Sequence, residues 1–368
     1  MLRDGYVLFD ETIETIQPNE QEIGEKILSS IGRTIAAVAN ARERNNLKPF
    51  AARGAHAKGH GILKGELRVN ENLPEHLRQG IFSAPDTYPV IVRFSTAFGN
   101  FRSDNVKVAR GMAIKVVGVN GEKALADDTS ANQDFLLVNQ PVYFADIAAY
   151  KRITGAIELL ADKPDAFFKV LEMGAAGTEK LLRRVGIKPP VEISSAVDEG
   201  YNILGETFYS MAAIRFGDYI AKMSAAPSPG SLNKQLERVP AGQGENVLQN
   251  IVSEFFKNKT AEFDLRAQLC RDLEQMPVEN ASVRWPEELA KHEPVARVIL
   301  PPQQPLSEAR REYNEVISFT PWRCLATHRP LGSIMRIRKK AYDMSSAFRH
   351  EQNSAPTVEP RDIADAPD

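Results

Sequence analysis

The chain is poor in cysteine: Cys270 and Cys324 are the only two in 368 residues. Two thiols that far apart neither staple a fold nor build a structural zinc site, so they are expected as buried free thiols in a reducing compartment, the cytoplasm. An excess of charge is missing too, because 46 Lys and Arg stand against 48 Asp and Glu. With no global field to gather nucleic acid or an anionic membrane surface, no nucleic-acid partner is expected. No apolar run reaches the roughly 18 to 20 residues of a membrane span. The opening MLRDGYVLFDETIET carries acids where a signal peptide needs a basic flank and an apolar core. An integral span and a secretory leader are therefore not expected.

What is present is an ordinary globular composition, with 43% hydrophobic and 26% charged residues. Residues 1–45 read as an extended arm followed by a helix, in which Ile23, Ile27, Leu28, Ile31, Ile35 and Val38 recur at steps of three and four and form one apolar stripe. From about residue 46 to 300 short β-rich runs dominate: GILKGELRV, YPVIVRFSTAF, GMAIKVVGV and DFLLVNQPVYF, then ETFYSMAAIRFGDYIAKM, AEFDLRAQLC and ARVIL. A helical excursion over 144–186 interrupts them. The order β, α, β without regular alternation excludes a doubly wound sheet and predicts an α+β protein built on an antiparallel sheet or barrel. Residues 301–350 read as a wrapping segment ending in the basic helix SIMRIRKKAYDMSSAFR. The Pro- and acid-rich stretch 351–368 reads as a flexible tail with almost nothing to bury.

Three places carry candidate chemistry. His56 and His60 lie four apart in RGAHAKGHGILKG, but Gly54, Gly59 and Gly61 argue against the helix that would make them a metal-binding pair. Arg93 and Ser95 alternate on a strand of Val, Ile and Phe, so they share a face. An inward charge there needs a buried anionic partner or a barrel-end ion pair. Arg338 and Tyr342 are spaced i, i+4 on a helix, which allows the guanidinium to stabilise a phenolate or merely to pack over an exposed ring.

Taken together, these segments resemble the catalase superfamily, specifically the small catalase-related proteins that keep the haem-binding core without the C-terminal flavodoxin-like domain. Arg53, His56, Ala57, Lys58, Gly59 and Gly61 match the family's distal segment, and VRFST matches residue for residue. VNQPVYF resembles the family's Asn, Asn, Thr, Pro, aliphatic, Phe, Phe stretch, with Asn139 on the second Asn and Val138 on the first. ISFTPWRC through SIMRIRKKAY resembles the proximal segment. The resemblance covers roughly residues 45 to 345 with gaps.

It implies a catalase-like antiparallel β-barrel with helical insertions, an N-terminal arm and a C-terminal haem-ligating helix. It further implies haem b with Tyr342 as the iron ligand, a role tyrosinate fills in catalases. Arg338 becomes the partner of Tyr342, Arg53 and Arg93 the propionate cations, and Tyr143 a haem contact. His56, Ser95 and Asn139 become the catalytic group, with His56 moving a peroxide proton and Ser95 fixing its tautomer. The implied activity is reduction of hydrogen peroxide or organic hydroperoxides, with an organic electron donor in the peroxidase case. Isomerisation or lysis of fatty-acid hydroperoxides, and haem binding without turnover, are the alternatives. The N-terminal arm resembles those with which catalases wrap their neighbours, which implies a homo-oligomer, a dimer or larger. Two departures stand out: Ala55 replaces a bulkier residue before His56, and the LATHRPLG loop with His328 is foreign, so an NADPH site is not expected.

Overall fold

The computed structural model describes residues 1–44, 51–99, 101–106, 108–160, 163, 184, 202–231, 239 and 244–368. The alternation read in the sequence becomes a closed antiparallel barrel. Two short strands, β1 (Leu2–Arg3) and β2 (Tyr6–Val7), open the chain as a hairpin. The barrel begins with a four-strand meander: β3 (Gly59–Val69), β4 (Thr87–Thr96), β5 (Arg110–Val117) and β6 (Asn132–Val138). It continues through β7 (Phe208–Tyr209), β9 (Tyr219–Pro227), β10 (Ala261–Leu269) and β11 (Glu293–Leu300), and β11 pairs with β3 to close the ring. Strand β8 (Ile214–Phe216) is a hairpin extension of β9. Closure leaves no edge among the eight strands, and every pairing is antiparallel.

One set of alternate residues fills the interior: Val90, Val92 and Phe94 of β4, Met112, Ile114 and Val116 of β5, and Phe263, Leu265 and Ala267 of β10 form one core. Ile91 belongs to the opposite face, where it packs with Tyr313 and Ile317. Arg93 and Ser95 share that opposite face by the two-residue period of the strand. The expected inward charge is thus buried outside the barrel, beneath covering helices, with Arg93 only 2% exposed.

Those helices are α1 (Glu20–Arg44), α2 (Ile147–Leu160), α3 (Val247–Phe255), α4 (Glu308–Val316) and α5 (Ser333–Gln352). Much of the predicted stripe of α1 packs inward: Ile23, Ile27, Leu28 and Ile31 meet Ile147 and Tyr150 of α2 and Ile337 of α5. Helix α2 is the first part of the expected excursion, and the remainder of 144–186 lies almost entirely outside the described residues.

One expectation about the C-terminus needs correction. The tail is not loose: Glu359 sits 2.7 Å from the Nζ of fully buried Lys115 and 3.2 Å from Arg323, while Lys115 also meets Asp134 at 2.8 Å. Val358 bridges to Ile317, and Ile363 and Ala366 join the Tyr313 cluster. An acid-rich stretch does have something to bury when its carboxylate answers a buried lysine. The opening arm lies against its own barrel, with the Val7 amide donating to the Cys270 carbonyl at 2.8 Å and Arg336 of α5 gripping Glu14 and Glu20.

Both cysteines are buried free thiols. Burial raises Cys270 to about 12 and pushes Cys324 up as well, so neither is a thiolate near neutrality. Among the described residues no helix is long and apolar enough to cross a membrane.

Candidate active site between the barrel wall and three helices

A cavity of about 340 Å³ lies between the outer faces of β4, β5 and β6, helices α1, α2 and α5, and residues Ser318 and Phe319. It brings together Arg53, His56, Arg93, Ser95, Tyr143, Arg338 and Tyr342, seven of the eight residues singled out from the sequence. Its volume falls in the range of small-molecule sites.

His56 occupies a left-handed backbone conformation, φ 55°, just before β3. Its amide donates to the Ala97 carbonyl, and its Nδ1 lies 3.0 Å from Ser95 Oγ. With Nδ1 donating to the serine oxygen, Nε2 is left as an acceptor, and it makes no hydrogen bond to the described residues. Burial first, then the fields of Arg93, Arg338 and Arg53, lower the imidazole to about 3, so it is neutral across the physiological range.

One end of the cavity holds more positive charge than the protein answers. Arg53, Arg93 and Arg349 converge there with Glu315 as the carboxylate among them. Arg93 donates through Nε to Asn314 at 2.7 Å and through Nη2 to the His56 carbonyl at 2.8 Å, and burial lowers it to about 10. Arg53 donates to the Asn314 and Ile317 carbonyls, yet its Nη1 stays 3.9 Å from Glu315 and has no hydrogen-bond partner. Burial, then Arg93 and Arg349, hold the Arg53 pKa well down. The Nε of Arg349 is likewise buried without a partner. Buried guanidiniums in such surplus fit a dianionic ligand.

On α5, Arg338 Nη2 donates to the Tyr342 oxygen at 2.8 Å. Burial opposes the Arg338 charge, but the field and hydrogen bond of Tyr342, with Tyr143 and Tyr150 close by, more than offset it and raise its pKa. A phenol oxygen that accepts from a guanidinium is a hard donor suited to a ferric ion.

Asn139 does not reach this cavity. Its side-chain oxygen accepts from the Arg110 amide at 2.8 Å and its own amide donates to the Arg110 carbonyl at 2.9 Å, while Val138 and Gln140 on either side line the cavity. Just past the end of β6, the Asn139 side chain meets the Arg110 backbone instead of the cavity. His60 is also elsewhere, buried with Nε2 2.6 Å from Thr96 Oγ1, and among the described residues no group of three metal-ligating side chains occurs. His328 sits in the barrel core against Phe82, Phe135 and Phe216, where it accepts from the Ile81 amide and burial lowers it to about 3.

Sequence reading missed Arg349, Tyr150, Gln140 and Gly111. A signal existed for Arg349, which stands seven residues after Tyr342 and therefore on the same face of α5 two turns on. Tyr150 was legible only as part of an apolar helix. For Gly111 and Gln140 the relevant neighbours come from other strands.

A barrel with this outer cavity has a catalase-like fold. Catalase A from Saccharomyces cerevisiae superposes with a TM-score of 0.58 at 16% identity, over 86% of this chain and 67% of that one. A fungal catalase gives 0.58 at 15% identity, over 88% and 67%, and a bacterial catalase 0.56 at 14%, over 86% and 62%. At such identities the likeness is one of fold. No protein-family model matches the sequence, and no curated protein matches it either.

Proposed function

We propose that the chain binds haem b in this cavity and is an oxidoreductase acting on hydroperoxides, of peroxidase or catalase type. The observation that carries the reading is a neutral His56, tied down on one side by Ser95, in the same cavity as the Arg338–Tyr342 pair and the unmatched arginines. Arg53, Arg93 and Arg349 would hold the two propionates, and the unpartnered nitrogens of Arg53 and Arg349 would gain acceptors. Tyr342 would supply the oxygen that holds the iron, and Arg338 donates a hydrogen bond to that oxygen. When bound, ferric haem would supply a Lewis-acidic metal that polarises a peroxide and a redox centre that gives up the two electrons needed to cleave its O–O bond.

The protein's own part is proton movement. His56 Nε2 takes the proton from the hydroperoxide oxygen that becomes the nucleophile and returns it to the oxygen that leaves, so that water or an alcohol departs neutral. Its depressed basicity suits it to give the proton back. Ser95 holds the tautomer throughout.

Reconstitution with haem, followed by the ferric absorption spectrum and the products from hydrogen peroxide and from a lipid hydroperoxide, tests the proposal. Tyrosinate-type spectra with oxygen release or oxidised donor support it. Haem uptake without turnover of either would make the protein a carrier, and rearranged lipid without reduction would make it an isomerase or lyase.

A further inference from the structure

We propose that the Gln140 carboxamide is a substrate-binding group, and that the hydroperoxide taken here carries a hydrogen-bonding substituent a few atoms from its O–O bond. The inference rests on the hydroperoxide reading above and narrows it to a substrate class. Gly111, against which the His56 imidazole lies, is the cross-strand partner of Val138. Gln140 follows two residues later and lines the same cavity, so its Cα is within about 7 Å of that of Val138, the reach of two extended residues. Asn139 between them is committed to Arg110.

Gln140 makes no hydrogen bond to the described residues. Gly54, Ala55, Ala97 and Ala109 also line the cavity, and Gln140 is the one carboxamide among its described lining residues. The organic part of a peroxide held at His56 therefore shares the cavity with that one carboxamide. That amide offers two N–H donors and a carbonyl acceptor, which answer a carboxylate, a carbonyl or a hydroxyl. Hydrogen peroxide brings no such second group, and a purely hydrocarbon hydroperoxide leaves the amide desolvated and unpaired. Discrimination by an unpaired polar group is stronger than by bulk alone.

The test uses the haem-loaded protein and two hydroperoxides that differ in one substituent, a methyl in tert-butyl hydroperoxide and a carboxylate in 2-hydroperoxy-2-methylpropanoate. Their unreactive alcohols, tert-butanol and 2-hydroxy-2-methylpropanoate, are titrated by calorimetry. The carboxylate-bearing member is expected to be preferred in kcat/KM and in affinity, and Gln140→Leu should cut both preferences about tenfold, the worth of one charge-assisted hydrogen bond. Gln140→Glu, which keeps the shape and adds repulsion, should cut them further and carries the test if the Leu variant does not fold. Preferences that survive both variants overturn the inference, as does the lack of any preference in the unaltered protein. If neither hydroperoxide is turned over while the hydroxy acid binds in a Gln140-dependent way, the hydroperoxide reading fails and the binding assignment stands.

Discussion

Gly111 and His56 fit together only because Gly111 has no side chain: a Cβ there would stand 2.7 Å from both Cε1 and Nδ1 of the imidazole and 3.0 Å from Ser95 Oγ. Real Cβ atoms do not approach that closely, so the ring would have to move. Gly111→Ala is expected to leave a folded barrel with His56 displaced and turnover reduced about 100-fold, the scale of a misplacement of 1 Å in a catalytic group. Steady-state kinetics beside thermal unfolding check this, and an alanine variant with unaltered kcat would show that the contact is irrelevant to the chemistry.

On the proposed reading, Tyr342 holds the haem and His56 does the proton chemistry. Tyr342→Phe removes the oxygen that would hold the iron and should lose most of the haem on gel filtration. His56→Ala should keep it and lose hydroperoxide turnover by about 10²- to 10⁴-fold, the usual range for an acid–base group. Equal loss of haem in both variants would make His56 a structural residue.

Four histidines sit in the fold in their neutral forms, His60 and His328 fully buried and His56 and His292 partly so. His56 and His328 are lowered to about 3, His292 to about 4, and His60 well below its ordinary value, burial being the main cause each time. In the unfolded chain the same groups take up protons below about pH 6.5. There the unfolded state binds more protons than the folded one, so stability falls as pH drops from 6.5 towards 4 and is complete above 6.5. Urea midpoints should decline between pH 7 and pH 5, and a flat profile would mean that these rings are protonated in the fold. Because His56 stays neutral over the same interval, turnover should show no acidic limb near 6.5 arising from it.

Glu359 closes the network around Lys115, Asp134 and Arg323. Asp134 alone would then face two buried cations if the tail carboxylate were neutralised. Glu359 is partly solvated, at 23% side-chain exposure, so the full cost of breaking a buried pair does not apply. Glu359→Gln should destabilise by about 1 to 3 kcal/mol, read from chemical denaturation. No measurable change would show that the tail is held by Val358, Ile363 and Ala366 alone.

The sequence made the architecture legible wherever a residue's partner was its own periodic neighbour. The β3 to β6 runs, the α1 stripe and the Arg338–Tyr342 spacing all read correctly because period 2 and period 3.6 are local properties. Faces were harder. Arg93 alternates with core residues, and nothing local says that the barrel interior takes Val92 and Phe94 while the outer side takes the arginine. Asn139 failed for a related reason: a one-residue shift in register exchanges cavity for backbone contact. The tail was misread because its value lies in Lys115 and Arg323, far away in the chain.

Ala55 precedes His56 and lines the cavity with a single methyl group. A branched side chain there would add two methyl-sized groups beside the base and narrow the approach to it. Narrowing favours a small peroxide, since orientation near His56 is worth more when the reactant cannot turn, and it excludes organic substituents. Ala55→Val is accordingly expected to raise oxygen release from hydrogen peroxide several-fold and to lower turnover of organic hydroperoxides by about tenfold, the effect of one or two methylenes in a pocket. Both rates are measured on one haem-loaded preparation, with the absorption spectrum confirming equal occupancy. If neither rate moves, the residue before the histidine does not set substrate size, and the wall formed by Ala97 and Ala109 becomes the place to fill instead.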